Sequence, residues 1–319
     1  MKKRKNILVT GGAGFIGSHM ARRLLDEGNK VTVFDNLSTG IKSYIPKAAD
    51  FILGDVKEEK DVKKVFSKKF DVVFHIAGCA STINSFADPL MDIKTNFIGT
   101  VNVVKQCIEK SVPRLLYASS MTVYGHPKRI PIDEESPTKP ISYYGIAKYS
   151  AERFVHATAQ RIDLNAPFNA TSFRMFNVYG ERQSLTNPYQ GVMAIFIGNV
   201  LRKEPIVIFG DGKQSRDFVF IDDVVDAWVQ NINNKKTFGE IFNLGYGTDI
   251  SINELTETII KTIGFDAKKY KVIYKKARPG DQRHMRADVS KLKKMANWKP
   301  KYNLEEGLKK TIEWAKKEA

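Results

Sequence analysis

The stretch that most restricts the fold lies near the start of the chain. Asn6-Ile-Leu-Val-Thr10 is a short apolar run, the pattern of a strand buried on both faces, and Gly11-Gly-Ala-Gly14-Phe-Ile-Gly17 follows without a spacer. Ile16, Met20 and Leu24 then recur at helical spacing, which gives strand, glycine loop, helix. A second strand, Lys30 to Phe34, ends in Asp35, 18 residues beyond Gly17. Each piece has a task in binding a dinucleotide. Gly11 permits the tight turn, Gly14 lets the backbone approach a pyrophosphate, and Gly17 lets the helix pack closely on the strand. Free N–H groups at the helix N-terminus face the phosphates. A carboxylate at Asp35 binds ribose hydroxyls and repels a 2′-phosphate, which selects NAD over NADP.

The alternation continues beyond this unit. Phe51 to Leu53 leads to Gly54-Asp55-Val56, and Val72 to Ile76 leads to Ala77-Gly78. A helix from about Asp92 to Glu109 then leads to a strand from Arg114 to Ala118 and to Ser119-Ser120. Strands alternating with helices of this length predict right-handed crossovers and an α/β fold of the Rossmann type, a doubly wound parallel sheet. Its ligands lie beyond the carboxyl ends of the strands, where the glycine loop, Asp35, Asp55, Ala77 and Ser120 all fall. After Asn177 the pattern weakens. Ser184 to Gln190 reads as a loop, Ala194 to Leu201 as a helix, and Ile206 to Phe209 as a strand ending at Gly210-Asp-Gly212. Ser251-Ile-Asn-Glu254 has the form of a capping box before another helix. The expectation is a dinucleotide-binding domain over 1–177 and a smaller C-terminal α/β substrate domain over 178–319, with some return to the first sheet near 241–244.

Composition narrows the partners. The 319 residues are 42% apolar and 27% charged, as in a soluble globular protein. The longest apolar stretch, Val192 to Leu201, is too short to span a membrane and is broken by Gly198 and Asn199. Met1-Lys-Lys-Arg-Lys5 runs straight into the first strand with no apolar leader, so a cytoplasmic protein is expected. Two cysteines, Cys79 and Cys107, give no disulfide framework, and the five histidines show no ligand spacing, so no metal is expected. The net charge of +16 raises nucleic acid as a partner. The lysines are scattered, however, and are not interleaved with stacking aromatics. A solvated basic surface that attracts an anionic substrate is the favoured reading, with no nucleic-acid or membrane partner.

Tyr144-Gly-Ile-Ala-Lys148 carries the candidate chemistry. A tyrosine and a lysine four residues apart share one face of a helix, which runs here to about Gln160. An ammonium stabilises the phenolate and lowers its pKa, so the pair can take a proton from an alcohol.

These stretches together resemble the extended short-chain dehydrogenases/reductases, and among them the nucleotide-sugar epimerases and dehydratases. The resemblance rests on Thr10 to Gly17, Asp35-Asn-Leu-Ser-Thr-Gly40, Ser119-Ser120 before Val123-Tyr-Gly125, and Tyr144 to Lys148. Further on it rests on Arg174-Met-Phe-Asn-Val-Tyr-Gly180, Phe209 to Gly212, Arg216-Asp-Phe218, Ile221-Asp-Asp-Val224 and Arg278-Pro-Gly-Asp281. It implies Ser120, Tyr144 and Lys148 as the catalytic triad. It also implies NAD contacts at Gly11, Gly14, Phe15, Ile16, Gly17, Asp35, Asn36, Ser38, Thr39 and Gly40. Asp55, Val56, Ala77 and Asn96 join them, with Tyr144 and Lys148. For the substrate it implies Asn177, Arg216 and Arg278 at the diphosphate, Asp281 at the ribose, Val207 and Phe209 beside the base, and Met285 near the sugar. Family members commonly dimerise through two helices per subunit, equivalent here to those near 92–110 and 144–160.

Dehydratases of the family carry an Asp-Glu pair after the catalytic hydroxyl, and related decarboxylases a Glu; here Met121 and Thr122 occupy those positions, and neither is an acid or base at neutral pH. The resemblance therefore implies 4-epimerization of a UDP sugar, UDP-glucose with UDP-galactose, and UDP-GlcNAc with UDP-GalNAc as a further pair. A uronic acid substrate needs an extra cation near C6, for which Arg182 is a candidate. Enzymes acting on dTDP-sugars or UDP-uronates, a 4,6-dehydratase, and a non-catalytic NAD- or nucleic-acid-binding relative remain as alternatives.

Overall fold

The run Asn6–Thr10 becomes β1, in the interior of a seven-stranded sheet. Ile7 and Val9 enter one core and Leu8 the other, all three without solvent exposure, which is why the segment reads as unbroken apolar sequence. The computed structural model describes residues 4–187 and 191–318. Residues 1–3 of the basic N-terminal run and 188–190 of the expected 184–190 loop lie outside the described residues.

On one side of β1 lie β2 (Lys30–Asp35) and β3 (Asp50–Leu53). On the other lie β4 (Val72–His75), β5 (Arg114–Ser120), β6 (Asn169–Met175) and, at the edge, Ile241–Leu244. Every pairing in this sheet is parallel. The order reverses between β1 and β4, and the crevice beyond the carboxyl ends opens there. Helices α1 (Phe15–Asp26), α2 (Glu59–Val65), α3 (Thr82–Ala87), α4 (Pro89–Ile93), α5 (Gly99–Glu109) and α6 (Tyr143–Ala159) make the crossovers. The helix expected from Asp92 to Glu109 is not uniform: Lys94–Ile98 forms a π turn between α4 and α5.

The edge strand Ile241–Leu244 joins β6 as expected, but the chain returns to the first sheet before it. Trp228, on the helix Ile221–Gln230, stacks on Phe74 of β4 and Phe173 of β6, with ring centroids 5.7 and 5.0 Å away. The second half otherwise builds a roof of short strands over the carboxyl ends. In Ile206–Phe209, Ile206 and Ile208 are buried while Val207 and Phe209 face the cleft below. The capping box at Ser251 is present: its hydroxyl oxygen accepts from the Glu254 N–H at 3.2 Å, and Glu254 accepts from the Ser251 N–H at 3.0 Å. The apolar helix Val192–Leu201 packs against the helix Ile252–Ile263. Among the described residues no helix is long and apolar enough to cross a membrane, and no group of three or more side chains could hold a metal ion.

Candidate active site

One cleft of about 810 Å³ runs along the carboxyl ends of the sheet, from the glycine loop past Ser120 and Tyr144 to Arg278 under the roof. Its dinucleotide end is a backbone cradle. Gly11 has φ +70°, and a Cβ on it would lie 2.8 Å from the Ala77 backbone; a Cβ on Gly17 would lie 2.0 Å from the Gly11 oxygen. The loop therefore closes on itself only without side chains, and the first turn of α1 presents its N–H groups to the cleft. Asp35 accepts from the N–H groups of Ala13 at 3.0 Å and Leu37 at 2.8 Å, which fixes its carboxylate at the end of β2. Asn36 donates to Asp55 at 2.8 Å beside it. A helix terminus for phosphates and a carboxylate for ribose hydroxyls fit NAD.

The expected cofactor positions Gly11, Gly14, Phe15, Ile16 and Gly17 line this cleft, as do Asp35, Asn36, Ser38, Thr39, Asp55, Val56 and Ala77. Two others stand behind its wall. A Cβ on Gly40 would lie 2.8 Å from an Asp35 carboxylate oxygen, so Gly40 backs that carboxylate. Asn96 donates to the Cys79 carbonyl at 3.1 Å and to Asp92 at 3.0 Å, so it holds the wall rather than facing the cleft.

The catalytic end depends on a close approach of two elements. Ser142 caps α6 by accepting from the Gly145 N–H at 3.1 Å. A Cβ on Gly145 would lie 2.8 Å from the Thr122 carbonyl, so only glycine lets the first turn of α6 press against the turn Met121–Tyr124 after β5. Tyr144 and Ser120 meet in the cleft as a result. Thr122, read from the sequence only as the lack of an acid, supplies a further part of the site. Its hydroxyl donates to Ser120 Oγ at 3.0 Å and its N–H does so at 3.3 Å, so the one Ser120 proton is left to be donated outward.

Lys148 lies behind Tyr144, buried, with Nζ 4.4 Å from the centre of the Tyr117 ring. Burial pulls its pKa down to about 7, against the pull of Asp92, Glu152 and Cys79. Burial pushes Tyr144 up to about 12, with the Ser120 hydrogen bond acting the other way. Within the protein alone the cost of burying a phenolate dominates at Tyr144; the lowering expected from Lys148 is a joint effect with the positively charged nicotinamide ring.

Under the roof, Asn177, Val207, Phe209, Arg216, Arg278 and Asp281 all reach the cleft. The Arg278 guanidinium stacks 3.6 Å above the Phe209 ring. Arg216 donates to the Ser215 carbonyl at 2.7 Å and pairs with Asp281, so these two expected contacts also hold each other. Asn177 Oδ1 is buried with no hydrogen-bond partner among the described residues. Met285 is placed elsewhere: it is fully buried in the core, on a strand paired beside Arg216, and does not line the cleft. Arg182 donates to Ser18 at 3.2 Å and lies 5.6 Å over the Tyr44 ring, beside α1 and outside the cleft lining. Gln282 was not anticipated; it lines the cleft and donates to the Gly125 carbonyl.

Residues 7–245 match the NAD dependent epimerase/dehydratase family. UDP-glucose 4-epimerase of Mycolicibacterium smegmatis is 34% identical over 313 residues, which cover 96% of this chain and 97% of that protein. The structure of UDP-glucose 4-epimerase from Thermotoga maritima with UDP-glucose superposes with a TM-score of 0.93 at 38% identity, over 98% of this chain and 99% of that one. The UDP-N-acetylglucosamine 4-epimerase of Methanobrevibacter ruminantium, in complex with UDP-N-acetylmuramic acid, gives a TM-score of 0.91 at 33% identity, over 99% and 100%. With a glycine cradle shaped for a dinucleotide and Ser120, Tyr144 and Lys148 gathered beside it, the chain belongs to the NAD dependent epimerase/dehydratase family.

Proposed function

We propose that the protein is a UDP-sugar 4-epimerase acting on neutral hexoses, interconverting UDP-glucose and UDP-galactose with NAD. The observation that carries this reading is the distribution of charge along the cleft. Among its described lining residues the carboxylates are Asp35, Asp55 and Asp281, and the cations are Lys57, Arg216 and Arg278. Asp35 and Asp55 belong to the dinucleotide end, where Lys57 pairs with Asp55 at 3.4 Å. Asp281, Arg216 and Arg278 belong to the roof, where the arginines suit a diphosphate. Between these ends, around Ser120 and Tyr144, the lining offers hydroxyls and amides such as Thr82, Asn84, Thr122 and Gln183.

Tyr144 takes the proton of the sugar 4-hydroxyl, and Ser120 donates a hydrogen bond to the same oxygen. The glycine cradle, Asp35 and Asp55 would hold NAD, which would supply a hydride acceptor for C4 and the donor for its return, so that no net oxidation would occur. Elimination of water across C5 and C6 needs an acid and a base beside the keto sugar, and Met121 and Thr122 supply neither. The 4-keto sugar therefore turns in the site and is reduced on its other face. A uronate carboxylate would lose its hydration without gaining a cation, so UDP-glucuronate is a poor substrate. The likeness to a UDP-N-acetylglucosamine 4-epimerase favours UDP-GlcNAc as a second substrate. Two free cysteines and a nucleotide-diphosphate substrate fit a cytoplasmic location.

Proton NMR of UDP-glucose, UDP-GlcNAc and UDP-glucuronate, each incubated with the purified protein, tests this reading. UDP-galactose forms from UDP-glucose, and UDP-glucuronate stays unchanged. If no hexose epimer forms even after NAD is supplied, the assignment fails.

A further inference from the structure

Behind Tyr144 the cleft wall encloses ionisable groups that the proton transfer above does not use. α4 and the π turn Lys94–Ile98 both pack against α6, and Asp92, on the last turn of α4, is only 2% exposed. π turns gather at functional sites because the widened turn re-aims side chains. Asp92 Oδ1 accepts from Asn96 Nδ2 at 3.0 Å, while Oδ2 is buried and has no hydrogen-bond partner among the described residues. Asn96 Nδ2 also donates to the Cys79 carbonyl at 3.1 Å, and Asn96 Oδ1 is itself buried without a partner. A buried carboxylate with one oxygen unmatched is costly unless an opposite charge stands near it. Burial raises the Asp92 pKa, and the Asn96 hydrogen bond and then the Lys148 charge act the other way, so Lys148 is the cation that favours its carboxylate.

We propose that Asp92 is a positioning residue for the catalytic ammonium: its carboxylate holds Lys148 charged beneath Tyr144, so that Tyr144 works as a base near neutral pH. The groups that act on or lie against Lys148 are Glu152 from α6, Asp92 from α4, His75 from β4, Cys79 from the segment after it, and Tyr117 from β5, while Tyr144 stands one turn earlier on α6. Of those favouring the charged amine, Asp92 acts most strongly, ahead of Glu152 and Cys79. Glu152 is already committed, since both its oxygens are held by Arg174 at 2.7 and 3.0 Å and it accepts from Ser119 at 2.6 Å. Asp92 has an oxygen to spare. It also opposes ionisation of Tyr144 directly, so its benefit to the base passes through Lys148.

The catalytic meaning of this inference rests on the epimerase reading, but its test does not. Carbon-13 NMR of labelled lysine side chains, with Lys148 assigned by its loss in Lys148→Arg, gives the pH at which Lys148 titrates without any substrate. In the isosteric Asp92→Asn that midpoint falls by roughly one pH unit, a tenfold loss of proton affinity. Asp92→Glu, which keeps the charge, stays near the wild-type value and guards against a misfolded variant. The alkaline limb of kcat moves down with the Lys148 midpoint in Asp92→Asn, because the neutral amine appears at lower pH, while KM for UDP-glucose stays unchanged. A Lys148 midpoint equal to wild type in Asp92→Asn, or a kcat reduced evenly at every pH, overturns the inference. Should UDP-sugars prove inert, the NMR titration still decides it.

Discussion

Ser120 can give its proton to a substrate oxygen because Thr122 occupies its acceptor side twice. Removing the side-chain half of that arrangement loosens the Ser120 rotor but leaves the nucleotide-sugar contacts alone. Thr122→Val is therefore expected to lower kcat by about threefold to tenfold, the worth of one ordinary hydrogen bond, with KM unchanged. Steady-state kinetics check this, and a KM effect without a kcat effect would assign Thr122 to binding. At this scale the sequence was legible where a motif fixed a residue's place, as at Ser120 and Tyr144. It was less so where a long-range pairing decides a side chain's direction. Met285 is turned into the core by a strand that pairs with Ser215–Arg216, about 70 positions earlier, and no local periodicity announces that. Arg182 is likewise drawn to Ser18 and Tyr44 on another element.

A hydrogen-bond relay ties several elements below the cofactor wall. Thr10 Oγ1 accepts from the N–H groups of Ile76 at 3.1 Å and Ala77 at 3.2 Å, so its own proton goes to His75 Nδ1 at 2.8 Å. His75 Nε2 then donates to Thr100 at 3.0 Å, and Thr100 to the Asn96 carbonyl at 2.7 Å, which links β1 and β4 to the π turn. This pattern requires a neutral imidazole, and burial first, then Lys148, pulls the His75 pKa down to about 3 from 6.5. A folded-state pKa below the unfolded one means that the unfolded chain binds the proton first. The contribution of His75 is thus complete above pH 6.5 and is lost as the pH falls toward 3. At pH 5 the loss is about 2 kcal/mol. Thermal melts between pH 7 and pH 5 should show a shallower decline in His75→Gln than in wild type; parallel declines would mean that the relay tolerates a charged imidazole. The helix over 92–109 was legible from its apolar spacing, but a single widened turn barely disturbs that spacing, so the interruption was not. The helix Ile221–Gln230 escaped notice as a sheet-covering element because its Trp228 meets partners about 55 and 154 positions earlier.

For the molecule as a whole, the first half was legible because parallel strands buried on both faces and their crossover helices leave local, repeating signals. The roof was not, since it consists of strands of two to four residues whose partners lie far away in sequence. Its placement nevertheless makes one cleft of two ends, with an uncharged wall of hydroxyls and amides beside Tyr144 between them, where the proposed sugar would lie. The outer faces of α4, the π turn and α6 leave Leu90, Ile93, Ile98, Tyr143 and Ile146 exposed, and we propose that these helices form a homodimer interface. Sedimentation equilibrium should return twice the chain mass, and a monomer at micromolar concentration would refute the dimer. The proposed reaction, however, is a redox-neutral cycle confined to C4. UDP-glucose carrying deuterium at C4, incubated with the protein in ordinary water, is the decisive substrate. UDP-galactose that retains the deuterium at C4 is expected; epimer that has exchanged it for solvent hydrogen, or a dehydrated 4-keto product in its place, would contradict such a cycle.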